Sequence, residues 1–139
     1  VFNLAKLSKG AVTLAVCMAL TPAVFTAGPL IESRLFAVVS GTVVTGTRVD
    51  PRGMLFNVWF RKSRPCEFIG LAWYDGDVRL RIDFHPSLPV QPVPRTRPPG
   101  GQAAGPWLLR GVESLQGTRA VTLHRCHPLW LTISEFYGH

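Results

Sequence analysis

From Ala11 to Ile31 the chain runs for 21 residues without a charge, AVTLAVCMALTPAVFTAGPLI. As a helix this stretch rises roughly 31 Å, about the thickness of a bilayer's hydrocarbon layer. Lys6 and Lys9 precede it, while Glu32 and Arg34 follow and cancel. The positive-inside rule then keeps the N-terminus cytoplasmic and sends everything after Ile31 across the membrane. The chain therefore divides into a short basic tail (1–10), a transmembrane helix or signal segment (11–31) and an exported domain (32–139).

A cleaved signal peptide is the competing reading. It would have the apolar stretch Ala11–Leu20 and a cleavage site at Thr21-Pro22-Ala23, with Pro22 interrupting the helix. Apolar character continues past Ala23 to Ile31, which favours a retained anchor. Cys17 follows the branched Val16 where lipidation signals want a small residue, so it reads as a small apolar residue in lipid. Either reading exports the domain. The expected site is the bacterial inner membrane with the domain in the periplasm; release after signal cleavage and virion association are the alternatives. Val1 in place of Met fits a GTG start codon, as in a bacterium or its phage.

The 108 residues after Ile31 suffice for one hydrophobic core, although a cross-link helps at this size. The whole chain carries a net charge of +7. From Glu32 onward there are 13 basic and 8 acidic residues, a net of +5, and no basic run exceeds Arg61-Lys62. Scattered arginines describe a solvated surface. A nucleic-acid-binding or virion structural role needs them to cluster after folding, and is kept as the alternative.

The exported part changes period. Val78–Phe84 alternates, with Val78, Leu80, Ile82 and Phe84 on one face and Arg79, Arg81 and Asp83 on the other, as a half-buried strand does. Cys66–Tyr74 is an apolar, aromatic run before it, and Asp75-Gly76 is a strong hairpin turn between the two. Asp50-Pro51-Arg52-Gly53 marks a second hairpin, linking Leu35–Thr47 to Met54–Lys62. Trp107–Arg110, Ala120–Cys126 and Leu129–Ile133 read as three more strands. Between them, residues 85–106 hold seven prolines together with Gly100, Gly101 and Gly105, which argues against regular structure and for a surface crossover; a proline-rich recognition segment is the functional alternative. About seven short strands with these turns predict an all-β fold, an antiparallel immunoglobulin-like β-sandwich behind one N-terminal hydrophobic helix.

Cys66 and Cys126 are the only cysteines outside the apolar segment. In an oxidising compartment they are candidates for a disulfide closing a loop of about 60 residues, with Trp73 packed on the bridge. A metal site built from His124, Cys126, His127 and Cys66 is the alternative, but His-x-Cys-His is not a usual ligand spacing. On alternating geometry His124 and Cys126 share a face that His127 opposes. Nucleophile elbow, Walker loop and His-Glu-x-x-His motifs are lacking, and Asp75 and Asp77 are ordinary turn residues, so an enzyme, metal-dependent if anything, is the weakest class. No cofactor is implied. Trp59, Trp73, Trp107 and Trp130 could supply a contact surface, with core or rim placement the alternative for each; the candidate surface residues are Trp107, expected to be exposed after the proline loop, with Trp130, Arg79 and Arg81.

Three segments, Lys62–Asp75 (KSRPCEFIGLAWYD), Thr96–Trp107 (TRPPGGQAAGPW) and His124–Tyr137 (HRCHPLWLTISEFY), resemble small membrane-anchored proteins encoded by bacteriophages and prophages of proteobacteria. The resemblance covers most of the chain after the apolar segment and departs at Ala104, where such proteins carry an aromatic before Gly-Pro-Trp. It implies a phage or prophage origin and brings no activity with it. The combined expectation is a non-enzymatic binding or structural module, tethered to the membrane through residues 11–31 and facing the periplasm. Its partner would be an unidentified protein rather than nucleic acid.

Overall fold

The computed structural model describes residues 4–138. Val1–Asn3 of the basic tail, and the terminal His139, lie outside the described residues. One helix, α1 (Leu4–Leu35), precedes eight strands: β1 (Val39–Asp50), β2 (Gly53–Lys62), β3 (Glu67–Asp75), β4 (Val78–Leu80), β5 (Ile82–Asp83), β6 (Gly100–Arg110), β7 (Thr118–Arg125) and β8 (Thr132–Tyr137). They form two four-stranded antiparallel sheets, ordered β1-β2-β6-β5 and β4-β3-β7-β8.

The helix is longer than the uncharged stretch and runs unbroken through Pro22 and Pro29. Its expected interruption at Pro22 does not occur. Hydroxyls of Thr13, Thr21, Thr26 and Ser33 donate to carbonyls three or four residues earlier, a backbone bond available without water. Val12, Val16, Met18, Leu20, Val24 and Ile31 are all exposed, so the helix is apolar around its circumference. A soluble surface helix has one apolar stripe; an all-apolar one belongs in a core or a membrane. Ser8–Leu35 is long and apolar enough to cross a bilayer.

The strands follow the sequence pattern with five corrections. The first strand starts at Val39 rather than Leu35, because the helix holds Leu35. The expected Val78–Phe84 strand is split between two sheets: β4 pairs with β3, the chain crosses at Arg81, and β5 pairs with β6, and Val78 of its apolar face is exposed. Asp83 is thereby buried, not solvent-facing. Arg110 at 2.6 Å and Arg81 at 3.1 Å donate to it. The turn before β4 is Gly76-Asp77, with only Gly76 at positive φ. Irregular structure in 85–106 ends at Pro99, since β6 begins at Gly100; Gly105-Pro106 lies at a register shift against β2, where a missing donor does no harm. The last strand is Thr132–Tyr137, not Leu129–Ile133, because residues 129–131 belong to the turn beside α1.

The core lies between the sheets. Phe56, Val58 and Phe60 of β2 face Trp73 of β3 and Phe136 of β8. Phe56–Trp73 and Phe60–Phe136 ring pairs, at 5.2 and 5.3 Å between centroids, join the layers. The fully buried Trp73 donates its indole N–H to Thr118 Oγ1 at 2.9 Å, which settles its one polar group.

Candidate functional site

Cys66 and Cys126 form a disulfide, with Cα atoms 4.6 Å apart. The bridge extends the β3–β7 ladder by one pair beyond Glu67↔Arg125, so it joins neighbouring strands of one sheet instead of tying facing sheets as in an immunoglobulin domain. Trp73 is not packed on it: seven residues along a strand is roughly 23 Å, and Trp73 stacks with Phe56 and Tyr137. Both sulfurs being bonded to each other, neither is free as a thiolate ligand for the alternative metal site. His124 and His127 also part company, His124 pointing between the sheets and His127 toward α1. Among the described residues no three His, Cys, Asp or Glu side chains gather as metal ligands.

The candidate surface residues do not converge. Arg79 is exposed on β4, opposite Tyr74. Arg81 is spent on Asp83 at the crossing. Trp107, expected to be exposed, is half-buried against Phe56, Phe84 and Phe136. Trp130 is half-buried against the helix. The exposed tryptophan is Trp59, at 46%.

Trp130 belongs to a joint that the sequence did not announce. Glu32, buried at the end of α1, accepts from Arg64 at 2.7 Å through one oxygen; the other oxygen accepts from Trp130 Nε1 at 2.7 Å and meets His127 Nε2 at 3.0 Å. The Trp130 ring covers Gly28 so closely that a Cβ there would lie 2.6 Å from it, and meets Phe25 edge-on at 5.9 Å. Three side chains of the domain thus bind a single carboxylate of the helix, and the helix is fixed to the sandwich instead of dangling from it.

The second feature is a cavity of about 630 Å³ between the sheets. That volume lies within the range of small-molecule sites. Phe60, Phe68, Leu71, Trp107 and Phe136 line it, and Phe84, His85 and Pro92–Arg95 of the proline-rich segment cover it. The segment is a strap pinned at its ends. Gln91 bonds His85 N and O at 2.9 Å, Arg52 donates to Pro86 O, Phe68 N donates to Thr96 Oγ1 at 3.0 Å, and Arg97 donates to Ala103 O at 2.8 Å. Among the described residues no hydrogen bond ties Pro92–Arg95 to the sheets.

Two polar side chains stand at one end of the cavity because of strand alternation. In β2 the inward series Phe56, Val58, Phe60 ends on Lys62, and in β7 the series Thr118, Ala120, Thr122 ends on His124. Lys62 is 3% and His124 2% exposed. Lys62 Nζ donates to the carbonyls of Cys66 and Arg97, each at 2.7 Å. Burial pushes its pKa below the usual lysine value. Burial, aided by the Lys62 charge, lowers His124 to about 4, so its ring is neutral near pH 7. Its Nδ1 is buried with no hydrogen-bond partner, and Phe68 meets the ring edge-on at 5.6 Å. Arg95 and Arg97 add positive charge, and no carboxylate is in the lining.

Sequence reasoning missed both Lys62 and Glu32. For Lys62 the signal was present, since continuing the β2 alternation by one step turns it inward. For Glu32 it was absent, because its three partners come from positions 64, 127 and 130. No protein-family model, curated protein or solved structure matches this chain.

Proposed function

We propose that this chain is a membrane-tethered, non-enzymatic binding module, with α1 in the bacterial inner membrane and the sandwich on the periplasmic side. The observation that carries this reading is the joint at Glu32: an all-apolar helix of membrane length is clamped to a disulfide-bonded domain. A clamp of that kind fixes the domain's height and orientation over a bilayer, which suits a module that meets something at the membrane surface. The bridge supports an oxidising compartment, and Lys6 and Lys9, in the first turns of α1 before its uncharged stretch, support the orientation. Binding is favoured over catalysis by the cavity's chemistry. His124 has no carboxylate to orient it as an acid–base catalyst is oriented, and its surroundings are aromatic and cationic. The resemblance to phage-encoded proteins makes a phage or prophage gene part of the same reading.

The test is fractionation of a bacterial host with reporters fused after residue 139. A periplasm-dependent reporter should be active, and the protein should stay with the membranes through a high-salt or carbonate wash. Activity of a cytoplasm-only reporter, or release by the wash at full length, refutes the tether. A product shortened by roughly 2.5 kDa would mean cleavage after Ala23.

A further inference from the structure

Lys62 is a buried ammonium whose two acceptors are both neutral carbonyls. An ammonium has three N–H donors, so one is left. Among the described residues no carboxylate pairs with it. Buried charges in folded proteins are ordinarily paired, so an anion that reached this ammonium would gain a partner without competition from a carboxylate. His124 beside it has a ring nitrogen in the same condition, buried and without a partner. From these two residues the cavity extends past Ala103, Ala104 and Gly105 to Trp107, which is in register with Phe56, six residues from Lys62 on β2. Six residues of strand span roughly 20 Å. The space is elongated, polar and cationic at one end, and apolar along its length.

We propose that this cavity binds a single-chain amphiphile with an anionic head. The head rests on Lys62 and His124, and the chain lies between the sheets beneath the Pro92–Arg95 strap. A compact aromatic ligand would leave the length unfilled, and a neutral lipid would leave Lys62 unpaired. Two sources share this chemistry, a free fatty acid and an anionic lysophospholipid drawn from the bilayer. The proposal rests on the reading of the domain as a binding module and not on which side of the membrane it faces.

The test uses the full chain held in amphipol. Tryptophan fluorescence is followed during titration with 9,10-dibromostearic acid, whose bromines quench an indole on contact, and with its uncharged methyl ester. Saturable quenching is expected, with the acid acting at a concentration roughly tenfold or more below the ester, the size of one charge-assisted hydrogen bond. Lys62→Met keeps the side chain's length and should erase the difference between acid and ester. Ala104→Phe fills the cavity and should abolish saturable quenching by both, Lys62 being intact; melting curves establish that each variant folds. Equal action of acid and ester on the natural chain, or saturable quenching that survives in folded Ala104→Phe, overturns the proposal. A dibrominated lysophosphatidylglycerol run beside the free acid separates the sources, the tighter binder naming the one used. If the protein washes off membranes yet shows the acid preference, the tether fails and the cavity stands; the reverse result leaves the tether and removes the ligand.

Discussion

At the scale of single residues, the chemistry is concentrated where alternation delivers a polar side chain to the buried end of an apolar series. His124 is the most measurable case. Its pKa falls from an ordinary 6.5 to about 4 in the folded chain. Between these values the unfolded chain takes up a proton and the folded chain does not, so stability is lost as pH falls from 6.5 toward 4. A shift of this size corresponds to on the order of 3 kcal/mol. We expect the urea midpoint to drop across that window, and the drop to shrink in His124→Leu, which has no proton to bind. An unchanged acid dependence in the variant would place the sensitivity elsewhere. Asp83 is the opposite case. Its burial would raise the carboxyl's pKa, but hydrogen bonds from Arg110 and Arg81 prevail and hold it below the usual value. Asp83→Asn keeps the shape and removes the charge that both guanidinium groups share. Those groups are partly in water, so the expected loss is moderate, about 2–3 kcal/mol, read as a lower melting temperature.

At the scale of elements, the hairpins β1–β2 and β3–β4 were legible because turn chemistry and alternation agree there. Gly41 and Gly46 show the same logic inside β1, where each takes a left-handed φ at a register shift. What the sequence could not reveal was sheet membership. Alternation from Val78 to Phe84 has a single period, yet the strand changes sheets at Arg81, since period reports which face a residue takes and not which neighbour it pairs with. The proline-rich segment misled in the other direction. Its composition hid the start of β6, because Gly100 and Gly101 pair with Lys62 and Arg61 despite having no side chains to pack. Apolar content misled again at Leu129–Leu131, which serves the helix joint and not the sheet. The cavity was therefore not visible beforehand: its walls were read as separate strands and its strap as a crossover. Trp107 now belongs to that wall. Replacing it with Ala should cost roughly 3–5 kcal/mol, as removal of a large core aromatic does, where an exposed residue would cost almost nothing. Chemical denaturation of the full chain distinguishes the two.

At the scale of the whole molecule, the disulfide, the cavity head and the helix joint occupy adjoining positions. Arg64 lies two residues before Cys66, and His127 one residue after Cys126, and both hold Glu32. The Cys66 carbonyl accepts from Lys62. The bridge therefore pins the two segments that grip the helix and one acceptor of the buried ammonium, and its influence should exceed the loop-entropy effect. For a closed loop of about 60 residues that effect alone is on the order of 4 kcal/mol. Cys66→Ser and Cys126→Ser should each lower the melting temperature by roughly 10–25 °C in a domain of this size. They should also free the joint, so that trypsin cuts after the exposed Arg34 faster than in the natural chain at the same temperature below melting. Cys17→Ser, in the exposed apolar face of α1, should change neither. Two alkylatable thiols at Cys66 and Cys126 in natively exported protein would refute the bridge. A melting loss with unchanged cleavage at Arg34 would confine the bridge's effect to the domain, and the clamp would then stand on Glu32 and Trp130 alone.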